Sequence, residues 1–234
     1  MIKKLLFVFL LLVNTLYGYF DQRLEAYPET REWLKDADTN GESAYNIGVI
    51  YHQKIKDYDK AIEWYKKAYN MDDEESAGSA ASNLGNIYDD KKNYTSAENW
   101  YKNAVKKNDI VANFNLGLLY KKAYKMGNIA AATSLGYLNS VILGHQEEGI
   151  KWYKVSAKHG NPKAINNLNK TYYEQGDLVT STAYTLAMAN YGYTKEQVFE
   201  FLKNTRKIDD ETIKKAYQLQ QTLDIPKHYT GGID

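Results

Sequence analysis

The chain has 234 residues, enough for one domain or a short array of repeats, and its hydrophobic fraction of 44% is sufficient for a buried core. Basic residues number 30 and acidic residues 29, a balance that argues against nucleic-acid binding, because phosphate recognition favours a strong basic excess. The absence of cysteine excludes disulfides, thiolate metal sites, a cysteine nucleophile and a lipid-modified N-terminal cysteine.

The N-terminus has the pattern of a secretory signal peptide. Lys3 and Lys4 precede an apolar run over residues 5–13, and the small residue Gly18 follows a short stretch later. The run is shorter than the roughly 20 apolar residues of a membrane-spanning helix. We therefore expect cleavage after Gly18, export to the periplasm or medium, and no transmembrane helix in the mature chain. An uncleaved membrane anchor is the alternative.

Two similar units follow a leader at 19–40, in which residues 28–35 form the one helix candidate. Asn-Ile-Gly-Val-Ile-Tyr at 46–51 is echoed by Asn-Leu-Gly-Asn-Ile-Tyr at 83–88, and a Trp-Tyr-Lys segment follows each. Self-similarity at this period indicates a helical repeat array. Each unit predicts two helices, A and B. They are 43–54 and 59–70 in a unit spanning 41–75, and 79–90 and 95–107 in a unit spanning 78–109.

Two polar residues are the predicted caps of the B helices. Thr95, with Glu98 three residues later, has the spacing of a capping box. Asp59 is placed to cap the first B helix.

Glycine recurs at one site of the A helices, at Gly48, Gly85 and Gly117. A glycine inside a helix costs about 1 kcal/mol relative to alanine, so its recurrence indicates a close neighbour. We expect that neighbour to be helix B, through its small residues Ala61 and Ala97. The tryptophans of the B helices, Trp64 and Trp100, are expected to fill the space between successive helix pairs.

The third unit, 110–160, departs from the pattern. Residues 111–120 and 130–143 both resemble helix A, and the next Trp-Tyr segment comes only at 149–154. One B helix is missing or altered, so a break in the regular array is expected near 124–146.

The array closes with a fourth unit at 161–191. Gly160-Asn161-Pro162 is typical of a helix end followed by a new start, and the predicted helices are 162–175 and 180–190. Two polar helices at 194–204 and 209–223, within residues 192–226, are expected to cap the array. Thr194, with Gln197 three residues later, has the spacing of a capping box at the start of the first. Residues 227–234 are expected to be a disordered tail.

These units resemble the tetratricopeptide repeat. Gly85, Tyr88, Ala97, Tyr101 and Ala104 match its spacing. The Trp-Tyr segments of the B helices are similar to those of the related Sel1-like repeat. The resemblance covers residues 41–191 and implies an all-α solenoid of αα-hairpins, a superhelix with a degenerate C-terminal cap. It also implies a scaffold that binds a protein or peptide, without a cofactor, and we expect a monomer.

In such arrays helix A lines a concave groove and helix B the outer wall. The resemblance therefore gives a set of groove candidates, one group from each A helix. They are Tyr45, Asn46, Val49, Ser82, Asn83, Asn86, Phe114, Asn115, Leu118, Asn166, Asn167 and Lys170. Most of these sites are neutral, so clamping of a peptide carboxylate is not predicted.

An asparagine recurs two residues before the glycine site, at Asn46, Asn83, Asn115 and Asn167. Its amide both donates and accepts hydrogen bonds, so it could hold the backbone of an extended peptide in either direction. The alternative is that it bonds to a neighbouring helix.

Catalytic and metal-binding patterns are weak. Residues 36–41 begin like a calcium loop, but Ile47 occupies the position of the bidentate glutamate, and such residues also form turns before helices. The four histidines are scattered, and carboxylate pairs sit at helix ends. We therefore predict no metal and no enzyme.

The enzymatic alternative comes from some secreted Sel1-like proteins, which are described as penicillin-binding or weakly β-lactamase-active. Those proteins carry a disulfide in each repeat, and this chain has no cysteine. It also lacks the Ser-x-x-Lys, Ser-Asp-Asn and Lys-Thr-Gly signatures of serine β-lactamases.

Overall fold

Regular structure in this protein, in a computed structural model that describes residues 21–71 and 73–233, is helical. The predicted signal peptide at 1–18 lies outside the described residues. The chain divides after Leu116 into two compact units. Each unit consists of helices packed as sequential hairpins, which confirms the predicted all-α hairpin architecture.

The first unit begins with a 3₁₀ turn and a short helix and continues with two hairpins. A π-helical turn at Ile50–Ile55 extends the first hairpin helix. A sixth helix starts in this unit and runs into the second. The helices are α1 (Thr30–Asp36), α2 (Gly41–Val49), α3 (Tyr58–Tyr69), α4 (Glu74–Asp90), α5 (Tyr94–Lys106) and α6 (Ile110–Lys125), after a 3₁₀ turn at Gln22–Ala26.

The caps of α3 and α5 are not the predicted ones. Asp57 accepts a hydrogen bond from the Lys60 backbone N–H at 3.0 Å and so caps α3. Asp59 instead forms an ion pair, at 2.9 Å, with Lys91, the C-cap residue of α4. Asn93, rather than Thr95, caps α5 by accepting from the Ser96 N–H. Both helices begin one residue earlier than predicted. The capping residue of each lies two positions upstream of the predicted one.

Within each of the two hairpins, the two helices pack closely because a glycine of one lies beneath a tyrosine ring of the other. A Cβ atom at Gly48 would lie 2.7 Å from the Tyr65 ring, and one at Gly85 would lie 2.4 Å from the Tyr101 ring. The predicted close approach is therefore real, but its partner is the tyrosine of the B helix rather than Ala61 or Ala97. Both tyrosines are buried.

The tryptophan beside each of these tyrosines is only half-buried. Trp100 packs edge-on against Tyr69, with ring centroids 5.2 Å apart, and so joins α5 to α3 as expected. Trp64 is half-buried as well, and Lys67 lies over its ring at 4.6 Å.

The second unit contains two more hairpins and a C-terminal helix pair. It also has π-helical turns at Leu138–Ile142 and Phe201–Thr205 and a 3₁₀ turn at Met188–Asn190. The helices are α7 (Ala130–Tyr137), α8 (Gln146–Lys158), α9 (Pro162–Glu174), α10 (Leu178–Ala187), α11 (Lys195–Glu200) and α12 (Asp210–Gln220).

The hairpin of α7 and α8 repeats the glycine-tyrosine contact. A Cβ atom at Gly136 would lie 2.3 Å from the Tyr153 ring, whereas one at Gly117 would meet only Leu138 Cδ2, at 3.4 Å. The expectation that Gly117 shares the site of Gly48 and Gly85 is therefore wrong. Thr133 and Ser134 stand 16 and 17 residues after Gly117, where the other hairpins have a tyrosine, so no ring covers it.

Start signals in the second unit are mostly where the sequence predicts them. Asn161 caps α9 by accepting from the Lys163 and Ala164 N–H groups, with proline in the first turn. Thr194 and Gln197 form a complete capping box at α11.

The C-terminal residues pack against α12, in contrast to the expected disordered tail. Tyr229 is 5% exposed, and its backbone N–H and C=O pair with the side chain of Gln220, itself fully buried. The tail therefore contributes to the core beside α12 through residues 227–233. The predicted unit boundaries along the chain otherwise remain predictions.

Candidate functional site

The most exposed apolar surface in the first unit lies at the start of α6. Ile110, Val111 and Phe114 are 83%, 61% and 67% exposed, and they share one side of the helix. On the other side Ala112 and Leu116 are buried. A helix that is apolar all round normally buries both faces, so the exposure of these apolar residues on α6 is unusual.

Asparagines join the A helices of the first unit to one another. Asn83 Nδ2 donates to the Tyr45 hydroxyl at 3.2 Å, linking α4 to α2. Asn115 Nδ2 donates to Asn86 Oδ1 at 3.2 Å, linking α6 to α4. The Tyr101 hydroxyl also donates to Asn86, at 2.8 Å. In the structure, Asn83 and Asn115 therefore bond to neighbouring helices, the alternative considered for the recurring asparagine.

Other candidates in the first unit differ in exposure. Tyr45, Asn46 and Val49 on α2 are half-buried, and the structure gives Asn46 no side-chain hydrogen bond within the described residues. Ser82 is 6% exposed and its hydroxyl has no partner among the described residues, so it lies beneath the surface. Because it is buried, Ser82 cannot contact a binding partner directly.

A polar cleft of about 330 Å³ lies between the N-terminal ends of α2 and α4. Three carboxylates and no basic side chain line it, so this end of the surface is acidic. The lining residues are Glu42, Tyr45, Asn46, Asp73, Glu75, Ser76 and Ser79. The first unit thus combines an acidic end at α2 with an apolar end at α6.

Four candidates lie in the second unit. Leu118, in the second half of α6, is 50% exposed. Asn166 and Lys170 are exposed on α9, and Asn167 is half-buried there. Lys170 makes a long 3.7 Å contact with Glu174, and both side chains are largely exposed, so this ion pair contributes little.

A residue that the sequence analysis did not single out lies beside this α9 surface. Arg206 Nη1 donates to Asn169 Oδ1 at 2.9 Å and to Ser181 Oγ at 2.7 Å. Its guanidinium carbon is 3.8 Å from the centroid of the exposed Tyr173 ring. No local sequence pattern could have found this contact, because Arg206 is 37 residues from Asn169 and 25 from Ser181.

The histidine with the most buried surroundings is His52. Its Nδ1 lies 3.3 Å from the Tyr65 hydroxyl, and the rings of Tyr58 and Tyr65 pack edge-on against it. Burial lowers the pKa of His52, with a smaller lowering effect from the charge of Lys56 and an opposing one from Asp90. These contacts fix the ring in the first hairpin and give it a packing role.

The calcium-like segment at 36–41 forms a helix start. Asn40 Oδ1 accepts from the Ser43 N–H, and its Nδ2 donates to Asp36 Oδ2 at 2.9 Å. Hydrogen bonds from Ser43 and Asn40 lower the pKa of Asp36. The described part of the chain contains no group of three or more His, Cys, Asp or Glu side chains placed to hold a metal ion.

The solved structures that resemble this chain include three at low identity. The first is a protective antigen of uropathogenic Escherichia coli with an SLR fold, at 22% identity and TM-score 0.38; the chain is covered to 84% but spans only 48% of that protein. A Sel1 repeat protein from Oxalobacter formigenes gives 22% identity, TM-score 0.33 and 79% of each chain. An immunity protein from Pseudomonas aeruginosa gives 15% identity, TM-score 0.27, and 79% and 82% of the two chains.

Curated proteins give no match. Within residues 21–71 and 73–233, no helix combines the length and apolar character needed to cross a membrane. The family comparison detects no enzymatic family.

The tetratricopeptide repeat model matches residues 41–107, the segment that contains α2 to α5. This match confirms the predicted resemblance to the tetratricopeptide repeat over those residues, and such repeats generally mediate protein interactions.

Proposed function

We propose that this chain is an exported scaffold that binds a protein or peptide on the exposed faces of its A helices. The main contact is the exposed face of α6 that carries Ile110, Val111 and Phe114. The observation that carries the proposal is the exposed apolar cluster of Ile110, Val111 and Phe114. Contiguous exposed apolar residues on a monomer mark interaction sites. The tetratricopeptide match at 41–107 supports the same class of function.

Phe114 is the expected anchor of this contact. Burying an apolar side chain of this size contributes about 1.5–3 kcal/mol, and aromatic anchors account for much of the energy of protein interfaces. The asparagines beside it contribute less, because Asn83 and Asn115 already bond within the protein. Asn46 retains an amide that can pair with a partner's backbone.

Export is the second part of the proposal and rests on the N-terminal sequence alone. Expression of the full chain in a bacterium, followed by fractionation and intact-mass measurement, tests it. We expect an extracytoplasmic product that begins at Tyr19. A full-length product that stays in the cytoplasm would contradict export, and a full-length product in the membrane fraction would support the uncleaved anchor.

Site-specific photocrosslinking in envelope extracts tests the binding surface. A photoreactive phenylalanine derivative replaces Phe114 in one variant and Asn99, an exposed residue on the outer helix α5, in the control. We expect a discrete crosslinked partner from position 114 and none from position 99, with the crosslink competed by unmodified protein. Crosslinking from position 99 alone would place the partner on the outer wall instead.

A further inference from the structure

The last hairpin, α9 and α10, breaks the glycine-tyrosine rule of the earlier ones. Asn169 stands at the glycine position, and Thr185, 16 residues later, stands where the tyrosine is expected. A larger residue thus replaces the glycine, and a smaller one replaces the tyrosine. The tyrosine ring is absent from this site, and polar side chains occupy the interface: Asn169, Ser181 and Thr185 are at most 5% exposed.

Arg206 fills this polar interface from outside the repeats. It follows the π-helical turn after α11, and its Nη1 donates to both Asn169 and Ser181. The guanidinium also lies close to two aromatic rings, with its carbon 3.8 Å from the Tyr173 centroid and 4.9 Å from that of Phe201. These contacts hold the guanidinium in place without any ligand.

The charge of Arg206 has no acidic partner among the described residues. The contacts that the structure gives it are to a neutral amide, a hydroxyl and two rings. Arg23, by comparison, bridges Asp21 and Asp57 at 2.6 and 2.8 Å. A partly desolvated cation without a counter-charge is unfavourable, and burial lowers the pKa of Arg206 accordingly.

The donors that Arg206 leaves unused have the geometry of a carboxylate site. A guanidinium carries five N–H donors; the two on Nη1 point at Asn169 and Ser181, and those on Nη2 and Nε remain. These form an edge of the fork that pairs with both oxygens of a carboxylate. Lys170, one turn before Tyr173 on α9, is exposed, and its Nζ lies 3.7 Å from Glu174 Oε1, so that carboxylate partly offsets its charge.

We propose that Arg206, held against the Tyr173 ring, binds a carboxylate group of a protein or peptide partner. This inference does not rest on the α6 surface. The cation comes from the C-terminal helices and not from the groove positions taken from the repeat pattern. The carboxylate is either an acidic side chain or a chain terminus.

Side-chain NMR of the full chain tests the proposal directly, because the sequence has only three arginines. The Nε–Hε signal of Arg206 is followed while three probes are added: N-acetylglutamate α-amide for a side-chain carboxylate, N-acetylalanine for a terminal one, and N-acetylglutamine amide as a neutral control. We expect saturable shifts with one or both carboxylates and none with the neutral probe. The tighter-binding carboxylate identifies the source.

Arg31, which is exposed, is the internal control for non-specific association. Equal, unsaturated shifts at Arg31 and Arg206, or no shift at Arg206, would overturn the proposal and leave Arg206 with a purely structural role. A second measurement uses R206K, with binding read from the Tyr173 backbone amide. Because lysine keeps the charge but loses the planar fork, affinity should fall about tenfold. Unchanged affinity in R206K would contradict bidentate binding, and the wild-type titration remains decisive if R206K does not fold.

Discussion

Three hairpins of this protein are built around a glycine under a tyrosine ring, and the fourth around a polar cluster completed by a distant arginine. In the first three, the tyrosine hydroxyl also reaches the facing helix, at His52, Asn86 and Ser140. In the fourth, Asn169 and Thr185 replace that pair and Arg206 enters. The first three hairpins therefore share a matched glycine and tyrosine, and where that pair is replaced a residue from a distant segment packs into the hairpin.

The largest expected effect is the loss of stability when Tyr101 is truncated, compared with truncation of its neighbour Trp100. Tyr101 is 3% exposed whereas Trp100 is half-buried. Tyr101→Ala should lower the free energy of unfolding by about 3–5 kcal/mol through the cavity it leaves, and Trp100→Ala by less. Urea unfolding of both variants measures this order. A larger loss for Trp100→Ala would show that packing between hairpins outweighs the glycine-tyrosine contact.

Adding one methyl group tests the glycine half of the pair. Gly85→Ala places a Cβ atom 2.4 Å from the Tyr101 ring, so overpacking should destabilise the protein by about 1–3 kcal/mol. Gly117→Ala is the matched control, because its Cβ atom would meet only Leu138 Cδ2 at 3.4 Å. There the better helix propensity of alanine should stabilise by up to about 1 kcal/mol. Equal effects on the melting temperature would contradict the distinction between the two glycines.

The polar cluster of the fourth hairpin should respond to loss of the arginine. Arg206→Ala removes two hydrogen bonds from buried Asn169 and Ser181, with an expected loss of about 1–3 kcal/mol in unfolding free energy. Arg31→Ala, at an exposed position, should change stability by less than about 0.5 kcal/mol. A double-mutant cycle with Ser181→Ala measures the coupling; strict additivity would show that the cluster is not a unit.

A smaller, pH-dependent effect is expected in the first hairpin. Burial lowers the pKa of His52 below its ordinary 6.5, so the unfolded chain binds a proton more readily than the folded one. His52 should therefore cost no stability above pH 6.5 and reduce stability as the pH falls below it. Denaturant unfolding between pH 7 and 5 should show a shallower loss for His52→Gln. The same slope in both proteins would assign the effect to other groups.

The helices, their order and most of their ends follow from local sequence patterns. Asn161-Pro162 and the pair Thr194 and Gln197 predict helix starts, because a cap depends on residues within one turn. Asp59 and Thr95 were wrong as caps because each has another capping residue two positions upstream. Such neighbours compete closely, and the hairpin turn decides between them.

Contacts between distant segments were harder to predict. The recurring glycine indicated a close neighbour, but the identity of that neighbour depended on the rotation of helix B, which brings Tyr65 rather than Ala61 over Gly48. Gly117 shares the local pattern and lacks the ring. Arg206 carries no local signal, since its partners are fixed only when the C-terminal helices pack on α10. Tyr229 was missed for the same reason.

The central functional claim is that recognition uses the exposed faces of the A helices, while the glycine, tyrosine and tryptophan positions serve packing. The most direct measurement is the affinity of the partner crosslinked at position 114 for the wild-type protein, Phe114→Asp and Asn99→Asp. We expect Phe114→Asp to weaken binding at least about tenfold, as for an interface anchor, at an unchanged melting temperature. Asn99→Asp should bind like the wild type. Unchanged affinity in Phe114→Asp, with a loss in Asn99→Asp, would contradict the claim and place recognition on the outer wall.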